Sequence, residues 1–269
     1  MRWMVLALSA AVLVACDDGS VAGPANPSDA LNASAESGIL ASQAEVSARP
    51  ASVPAEAAPT ETYEITVENL TSQGQPLTPP LVALHRGAAN LFTVGKPASF
   101  QLKEIAENGN LAPMLGVLEA SRHVSSFAVG ATPPVPALQP GESVTLTLEA
   151  EPGSEFISFV SMLICTNDGF TGLDSAHLPN RVGEQWTAYT DAYDAGTEVN
   201  TEDFTDLVPP CPGLTGVMTD DSGTDSSDPA LAENGVVHHH EGIEGDDDLQ
   251  TGLHGWTDPV GKVTVERTS

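Results

Sequence analysis

Short segments in which apolar and polar residues alternate most constrain how this chain can fold. Residues 63–67 and 144–148 both alternate in this way, and a two-residue period places the apolar side chains on one face of a β-strand. The longer apolar run at 156–165 predicts a central buried strand, and residues 262–267 predict a closing strand. The chain is therefore predicted to be mainly β.

One segment between these strands has helical periodicity instead. Phe100, Leu102, Ile105 and Ala106 are spaced as on one helix face, and the Asn108-Gly109 pair that follows is a typical helix stop. Residues 111–118 predict a second short helix. Short strands joined by turn-rich loops favour an antiparallel β-sandwich with a short helical insertion, formed by residues 61–269 as one domain.

The N-terminus has the pattern of a bacterial export signal. Arg2 precedes an apolar run at 3–15 that only Ser9 interrupts, and this run is shorter than the roughly 20 residues that span a membrane. A positive start, an apolar stretch and small residues at its end are typical of a signal peptide. The run ends in Leu-Val-Ala-Cys at 13–16, which resembles the bacterial lipobox.

The lipobox resemblance implies that residues 1–15 are removed and that Cys16 carries lipid. The lipid would anchor the chain to a membrane surface outside the cytoplasm, and whether this is the inner or the outer membrane stays open. An ordinary signal peptide that happens to precede a cysteine is the alternative.

Residues 16–60 predict a disordered tether between the anchor and the domain. This stretch is rich in Ala, Ser and Pro and has no aromatic residue, so it cannot bury enough apolar surface to offset the entropy of ordering. A flexible chain of this length has a root-mean-square reach of roughly 35 Å.

The charge balance and the absence of catalytic motifs argue against two classes of function, nucleic-acid binding and catalysis. The chain has 37 acidic and 9 basic residues, and no Lys or Arg occurs between Arg181 and Lys262. Nucleic-acid binding through a basic patch is thereby excluded. The sequence has neither a Gly-x-Ser-x-Gly elbow nor a phosphate-binding glycine loop, so we expect no enzymatic activity. A hydrolase that uses an acidic cleft is the less favoured alternative.

Acidic residues stand at two predicted strand ends. Asn167 and Asp168 follow the buried strand at 156–165, and the segment 191–198 contributes Asp194 and Glu198. Ca²⁺ prefers carboxylate and carbonyl oxygens, so two such loops at one end of a sandwich could form a calcium site. The alternative is that these acids only solvate loops. Without a cation, clustered carboxylates would repel one another, and their pKa values would rise.

Several of these blocks together resemble the spondin domain family. The blocks are Leu91-Phe92, Gly95 to Ser99, Leu102 to Asn110, Phe159 to Met162, Asn167-Asp168, Gly172-Leu173, Asp194 to Glu198, and Val263 to Arg267. The resemblance implies a β-sandwich of the calcium-and-lipid-binding type, with one bound Ca²⁺ and a role in extracellular adhesion.

Carried over residue by residue, the spondin resemblance implies that Asp168, Asp194 and Glu198 are calcium ligands. Glu198 stands where animal members have Asp, and Gly169 replaces a large aromatic residue. The function we expect is calcium-dependent adhesion or ligand binding at the cell envelope. Glycan, matrix or another protein could be the ligand, and the sequence does not identify which.

A histidine-rich segment raises a different metal hypothesis. His238, His239 and His240 precede a strongly acidic stretch that runs to Asp248, and imidazole is a suitable ligand for Zn²⁺, Cu²⁺ and Ni²⁺. The zincin motif fails, because Glu244 stands where its second histidine is required. The segment is therefore either a transition-metal loop of a periplasmic metal-binding accessory lipoprotein or an exposed polar loop.

Two cysteines remain after Cys16. In an exported domain, Cys165 and Cys211 predict a disulfide bond. The alternative is that both are buried thiols.

Overall fold

The computed structural model describes residues 59–72, 74–131 and 134–269. The predicted signal peptide at 1–15, the lipidated Cys16 and nearly all of the tether at 16–60 lie outside the described residues, so they stay predictions. Within the described ranges, no helix combines the length and the apolar character that crossing a membrane requires.

The described residues form ten strands and four short helices. The strands are β1 (Glu61–Asn69), β2 (Leu81–His85), β3 (Val124–Val129), β4 (Ser143–Ala150), β5 (Phe156–Met162), β6 (Gly169–His177), β7 (Gln185–Thr190), β8 (Ala192–Asp194), β9 (His238–His239) and β10 (Gly261–Arg267). The helices are α1 (Phe100–Asn108), α2 (Ala112–Ala120), α3 (Pro210–Thr215) and α4 (Thr251–His254).

The strands form two antiparallel sheets. One sheet has the order β4-β1-β10-β7, and the other has the order β3-β2-β5-β6-β8-β9. Apolar side chains from both sheets meet in one buried cluster, which includes Ile65 and Val263 from the first sheet and Leu84 and Phe159 from the second. The alternation in β1 supplies the first sheet's side of this cluster, as its two-residue period predicts. The fold is therefore mainly β with two antiparallel sheets, and this part of the prediction is confirmed.

The two larger helices cover the other face of the six-stranded sheet. Leu102, Ile105 and Ala106 of α1 are buried against Leu81 and Val160 of that sheet. Ser99 caps the start of α1 by accepting a hydrogen bond from the Leu102 amide, and Gly109 ends the helix in the left-handed conformation. The predicted helix stop is confirmed.

The structure corrects the buried face of α1 at one position. Phe100 was expected on the apolar face, but its side chain is 60% exposed. Leu102, Ile105 and Ala106 share a face because they are three and four residues apart, whereas Phe100 lies two residues before Leu102, about 200° around the helix. The prediction for Phe100 was wrong for this reason.

Candidate metal centre

The turn between β5 and β6 fixes the position of Asp168. Thr166 closes this turn: its hydroxyl donates to the Leu163 carbonyl (2.6 Å) and accepts from the Gly169 amide (2.9 Å). A Cβ atom on Gly169 would lie only 2.5 Å from the Thr166 hydroxyl oxygen. The tight turn thus accounts for the glycine at position 169.

The two carboxylate oxygens of Asp168 have different environments. Oδ2 accepts hydrogen bonds from the Thr197 amide (2.7 Å), the Thr197 hydroxyl (3.1 Å) and the Glu198 amide (3.0 Å). Oδ1 is equally buried and has no hydrogen-bond partner among the described residues. Asp168 therefore holds the loop after β8 with one oxygen and leaves the other free to bind a ligand.

Asp194 ends β8 next to this turn. It pairs with Gly169 of β6 on one side and with His238 of β9 on the other. Its Oδ1 accepts from the Gly196 amide (2.7 Å), and its Oδ2 accepts from the Asn200 side chain (2.9 Å). Gly196 adopts φ 68°, and its Cα approaches the backbone of Val236 so closely that a Cβ would lie 2.6 Å from that amide nitrogen. The loop after β8 therefore turns tightly at Gly196.

Glu198, the third predicted calcium ligand, lies in the loop after β8. Its side chain is buried, and Oε1 accepts from the Asp228 amide (3.3 Å). Beyond it, the buried Glu107 of α1 forms an ion pair with Lys103 (2.9 Å) and accepts a hydrogen bond from the Ser227 hydroxyl. Lys103 thus provides a positive charge beside Glu107 at one end of this group of buried acids.

Burial and mutual repulsion raise the pKa values of two of these acids. Burial is the main cause that raises the pKa of Asp168 to about 7, and the negative charge of Asp194 adds to it. The pKa of Glu198 rises to about 7, first through burial and then through the charges of Glu107 and Asp168. This is the effect expected when carboxylates cluster without a cation between them.

The predicted acids are close enough to interact, but they do not form a closed set of ligands. Within the described ranges, only Cys165, Cys211 and His254 bring three ligand atoms within 4.8 Å of one another. Those cysteines form a disulfide with an S–S distance of 2.08 Å, which removes them as thiolate ligands. Asp168, Asp194 and Glu198 stand farther apart, and a cation would have to draw them together.

The three adjacent histidines have three different environments. His238 lies opposite Asp194, with its Nδ1 2.9 Å from the Val236 carbonyl oxygen and 3.8 Å from Asp194 Oδ1. His239 lies opposite Tyr193, and its Nε2 is 2.6 Å from Asp258 Oδ2. His240 is buried, so the interpretation of the segment as an exposed polar loop is wrong at this position.

An acidic cavity of about 360 Å³ opens beside His238 and shares a wall with the candidate calcium site. Its carboxylates belong to Asp194, Glu202, Glu233, Glu241, Glu244 and Asp246. Among the described residues, neither Lys nor Arg lines it, so the cavity attracts cations.

The Spondin_N family model matches residues 72–208, just over half of the chain. The chain belongs to the spondin domain family. The matched range contains Asp168, Asp194 and Glu198, and it ends before Cys211 and the histidine segment. The resemblance at Val263 to Arg267 also falls outside this range.

The family match gives only general information about activity. Spondin_N is not a known enzyme family. The comparison with curated proteins finds no match to the chain.

Sequence reasoning missed several residues that shape this centre. Glu107 and Glu202 are buried acids, and Thr197 and Asn200 hold the carboxylates of Asp168 and Asp194. The only local signal was Lys103, which lies four residues before Glu107 on α1 and predicts a helical ion pair.

Proposed function

We propose that this chain is an exported, membrane-anchored lipoprotein whose spondin domain binds Ca²⁺ and mediates adhesion or ligand binding at the cell envelope. The observation that carries the calcium proposal is the buried Oδ1 of Asp168. A buried carboxylate oxygen without a partner costs free energy, and a bound cation would remove that cost.

The donor set fits a hard cation. Asp168, Asp194 and Glu198 supply carboxylate oxygens. Ca²⁺ takes six to eight oxygen ligands and tolerates irregular geometry, so water molecules would complete its shell. Bound Ca²⁺ would offset the repulsion between Asp168 and Asp194 and fix the loop after β8.

The architecture supports the same proposal. The two sheets enclose one apolar cluster, and we infer that they form a β-sandwich of the calcium-and-lipid-binding type. The candidate centre lies where the β5–β6 turn meets the loop after β8. An ion there would order a surface to which a glycan, a matrix component or another protein could bind.

Calorimetric titration of the full chain with Ca²⁺, in detergent, tests the ion site. We expect saturable binding that Asp168→Asn abolishes. Asp174→Asn is the matched control, because Asp174 is an acid on β6 that accepts hydrogen bonds from the Leu91 amide and Ser158. Absence of binding at millimolar Ca²⁺, in a chain with a cooperative thermal transition, would overturn the calcium proposal.

Adhesion requires its own test. Immobilised chain is exposed to arrays of glycans and matrix proteins, first with Ca²⁺ and then with a calcium chelator. Binding that the chelator and Asp168→Asn both remove supports a calcium-ordered binding surface. Binding that neither the chelator nor Asp168→Asn changes contradicts a calcium-ordered binding surface.

A further inference from the structure

A second cavity, of about 320 Å³, is lined by residues 92–94 and by parts of β6, β7 and β8. Three aromatic residues line it, Phe92, Tyr189 and Tyr193, together with the acids Asp174 and Asp191. None of the predicted calcium ligands is among its lining residues. We call it the aromatic cavity. Its volume lies at the lower end of the range for small-molecule sites, so it fits one small chemical group.

The aromatic residues of this cavity differ in how they are held. The rings of Phe92 and Tyr193 have their centroids 5.6 Å apart, and the buried Phe170 packs against both, at 5.1 and 5.6 Å. Tyr189 is instead 63% exposed, on the outer strand β7 of the four-stranded sheet. Packing thus fixes two of the rings, and the third adds aromatic surface that the core does not use.

A β-bulge lies at the edge of the aromatic cavity. One residue of β5, Ser158, stands opposite two residues of β6, Asp174 and Ser175, where the register of the two strands shifts. Ser175 has φ 54°, in the left-handed region that residues with a Cβ atom rarely adopt. Bulges and strained residues are common beside functional sites, where a bulge redirects a side chain. Here the residue next to the strained position is Asp174, which lines the cavity.

The carboxylate of Asp174 is held mainly by one oxygen. Oδ1 accepts hydrogen bonds from the Leu91 amide (3.0 Å) and the Ser158 hydroxyl (3.2 Å). In the part of the chain that the structure describes, Oδ2 has only a long contact with the Ser175 hydroxyl (3.4 Å). The carboxylate is therefore positioned in advance, and Oδ2 keeps most of its capacity for a ligand.

The charges around the aromatic cavity favour a positively charged ligand. Asp174 and Asp191 make its potential negative, and within the described ranges no Lys or Arg lines it. Lys262 stands opposite Tyr189 in the register of β7 and β10, but its ammonium group is paired with Glu68 (2.8 Å). Aromatic rings also attract cations, and aromatic cages recognise methylated ammonium groups. A neutral sugar would gain nothing from the negative potential.

We propose that the aromatic cavity binds a methylated ammonium group, such as that of choline. Phe92, Tyr189 and Tyr193 would contact the methyl groups, and Asp174 would balance the charge through Oδ2. This site goes beyond the proposed calcium function and does not depend on it.

The experiment is a calorimetric titration of the full chain with choline, in a non-ionic detergent, with Ca²⁺ and again with a calcium chelator. A salt concentration of about 0.15 M limits non-specific attraction to exposed acids. We expect saturable binding at one site. The dimethylbutanol isostere of choline, in which carbon replaces the charged nitrogen, should bind roughly 10-fold more weakly, because it lacks the cation–π attraction.

Two exposed aromatic residues provide a matched pair of variants. Tyr189→Ala should weaken choline binding roughly 5- to 30-fold, the range expected for a cation–π contact. Phe100→Ala should leave binding unchanged, because Phe100 is 60% exposed on α1 and does not line the cavity. Asp174→Asn removes the charge with little change of shape and should also weaken binding. Both alanine variants should keep the wild-type thermal transition, because each replaces an exposed side chain.

Three results would overturn the ammonium site. These are no choline binding with or without Ca²⁺, equal binding of choline and its neutral isostere, and equal effects of Tyr189→Ala and Phe100→Ala. Glucose binding in place of choline would show that the cavity takes a neutral sugar instead. Ca²⁺ binding is measured separately, so its loss would overturn the calcium proposal and leave this one standing.

The source of the ammonium group is tested with glycerophosphocholine, the soluble headgroup of phosphatidylcholine. Affinity equal to that of choline would support the site and identify a lipid headgroup as a ligand. Weaker binding than that of choline would support the site and identify a free methylated amine, since the acids of the cavity would repel the phosphate.

Discussion

At the scale of single residues, the two carboxylate oxygens of Asp168 have different environments. Oδ2 takes three hydrogen bonds from Thr197 and Glu198, which keeps the loop after β8 against the β5–β6 turn. Oδ1 is buried and has no hydrogen-bond partner in the part of the chain that the structure describes. A residue that only stabilised the loop would gain nothing from an unsatisfied second oxygen, and this asymmetry favours a ligand at Oδ1.

The raised pKa of Asp168 predicts how the metal-free protein responds to pH. The pKa is about 7 in the folded chain, against 3.8 for an unperturbed aspartate side chain. Between these values the folded state binds a proton that the unfolded state has lost, so the free energy of unfolding falls as pH rises. This contribution is fully present below about pH 4 and is lost above about pH 7.

Denaturant unfolding of metal-free wild type and Asp168→Asn, from pH 4 to pH 8, checks this prediction. The wild-type stability minus the variant stability should decline across that window, since Asn does not titrate. Saturating Ca²⁺ should stabilise the wild type most above pH 7, where the carboxylate is ionised. A difference that is flat with pH would contradict the buried, repelled carboxylate.

Only part of the candidate centre could be predicted from the sequence. Asp168 follows the recognisable apolar run at 156–165, and all three predicted ligands, Asp168, Asp194 and Glu198, match the spondin pattern, so the sequence suggested them. Glu107 and Glu202 could not be found in this way, because their burial depends on segments more than 40 residues away, at Ser227 and at Glu244–Gly245. Nothing in the sequence around either acid specifies that distant partner.

At the scale of elements, the strength of a strand's pattern decided whether it was recognised. β1, β4 and β10 bury one face and alternate clearly, so they were predicted. β6 begins with four consecutive buried residues, but these are Gly, Phe, Thr and Gly, so the strand has neither a two-residue period nor the apolar run that revealed β5. β8 and β9 have only three and two residues, which is too short for a pattern.

The disulfide joins the β5–β6 turn of the candidate centre to α3. Cys165 lies in the β5–β6 turn that carries Asp168, and Cys211 lies in α3. The two residues are 46 positions apart, and in the chain-entropy model a loop of that length contributes about 4 kcal/mol to stability.

Mass spectrometry of unreduced peptides should therefore show Cys165 linked to Cys211. Cys165→Ala/Cys211→Ala should lower the free energy of unfolding by about 4 kcal/mol, measured by urea denaturation. Reduction of the wild type should have a similar effect and should leave the double variant unchanged. Two free thiols in the wild type would contradict the bond.

At the scale of the whole molecule, the net charge of −28 affects both the stability of the fold and its association with cations. Such a charge destabilises the compact state through self-repulsion and favours association with cations. The acids are concentrated between Arg181 and Lys262, which includes the loop after β8 and the acidic cavity. The charge distribution therefore favours cation binding at the proposed calcium site.

The last prediction concerns the anchor that would hold this acidic domain at a membrane. The domain has too few basic residues to be attracted electrostatically to anionic lipids. If Cys16 is lipidated, the domain therefore depends on the lipid alone for membrane association.

Globomycin, which blocks the lipoprotein signal peptidase, should then leave an unprocessed precursor that retains residues 1–15. Cys16→Ser should prevent labelling by a fatty-acid analogue. The variant should either remain as the unprocessed precursor or be found in the soluble fraction instead of the membrane pellet. Arg2→Lys is the matched control, since it preserves the positive start and should leave processing unchanged. Normal maturation in globomycin would show that an ordinary signal peptide precedes Cys16, and the domain would then be free in solution rather than tethered.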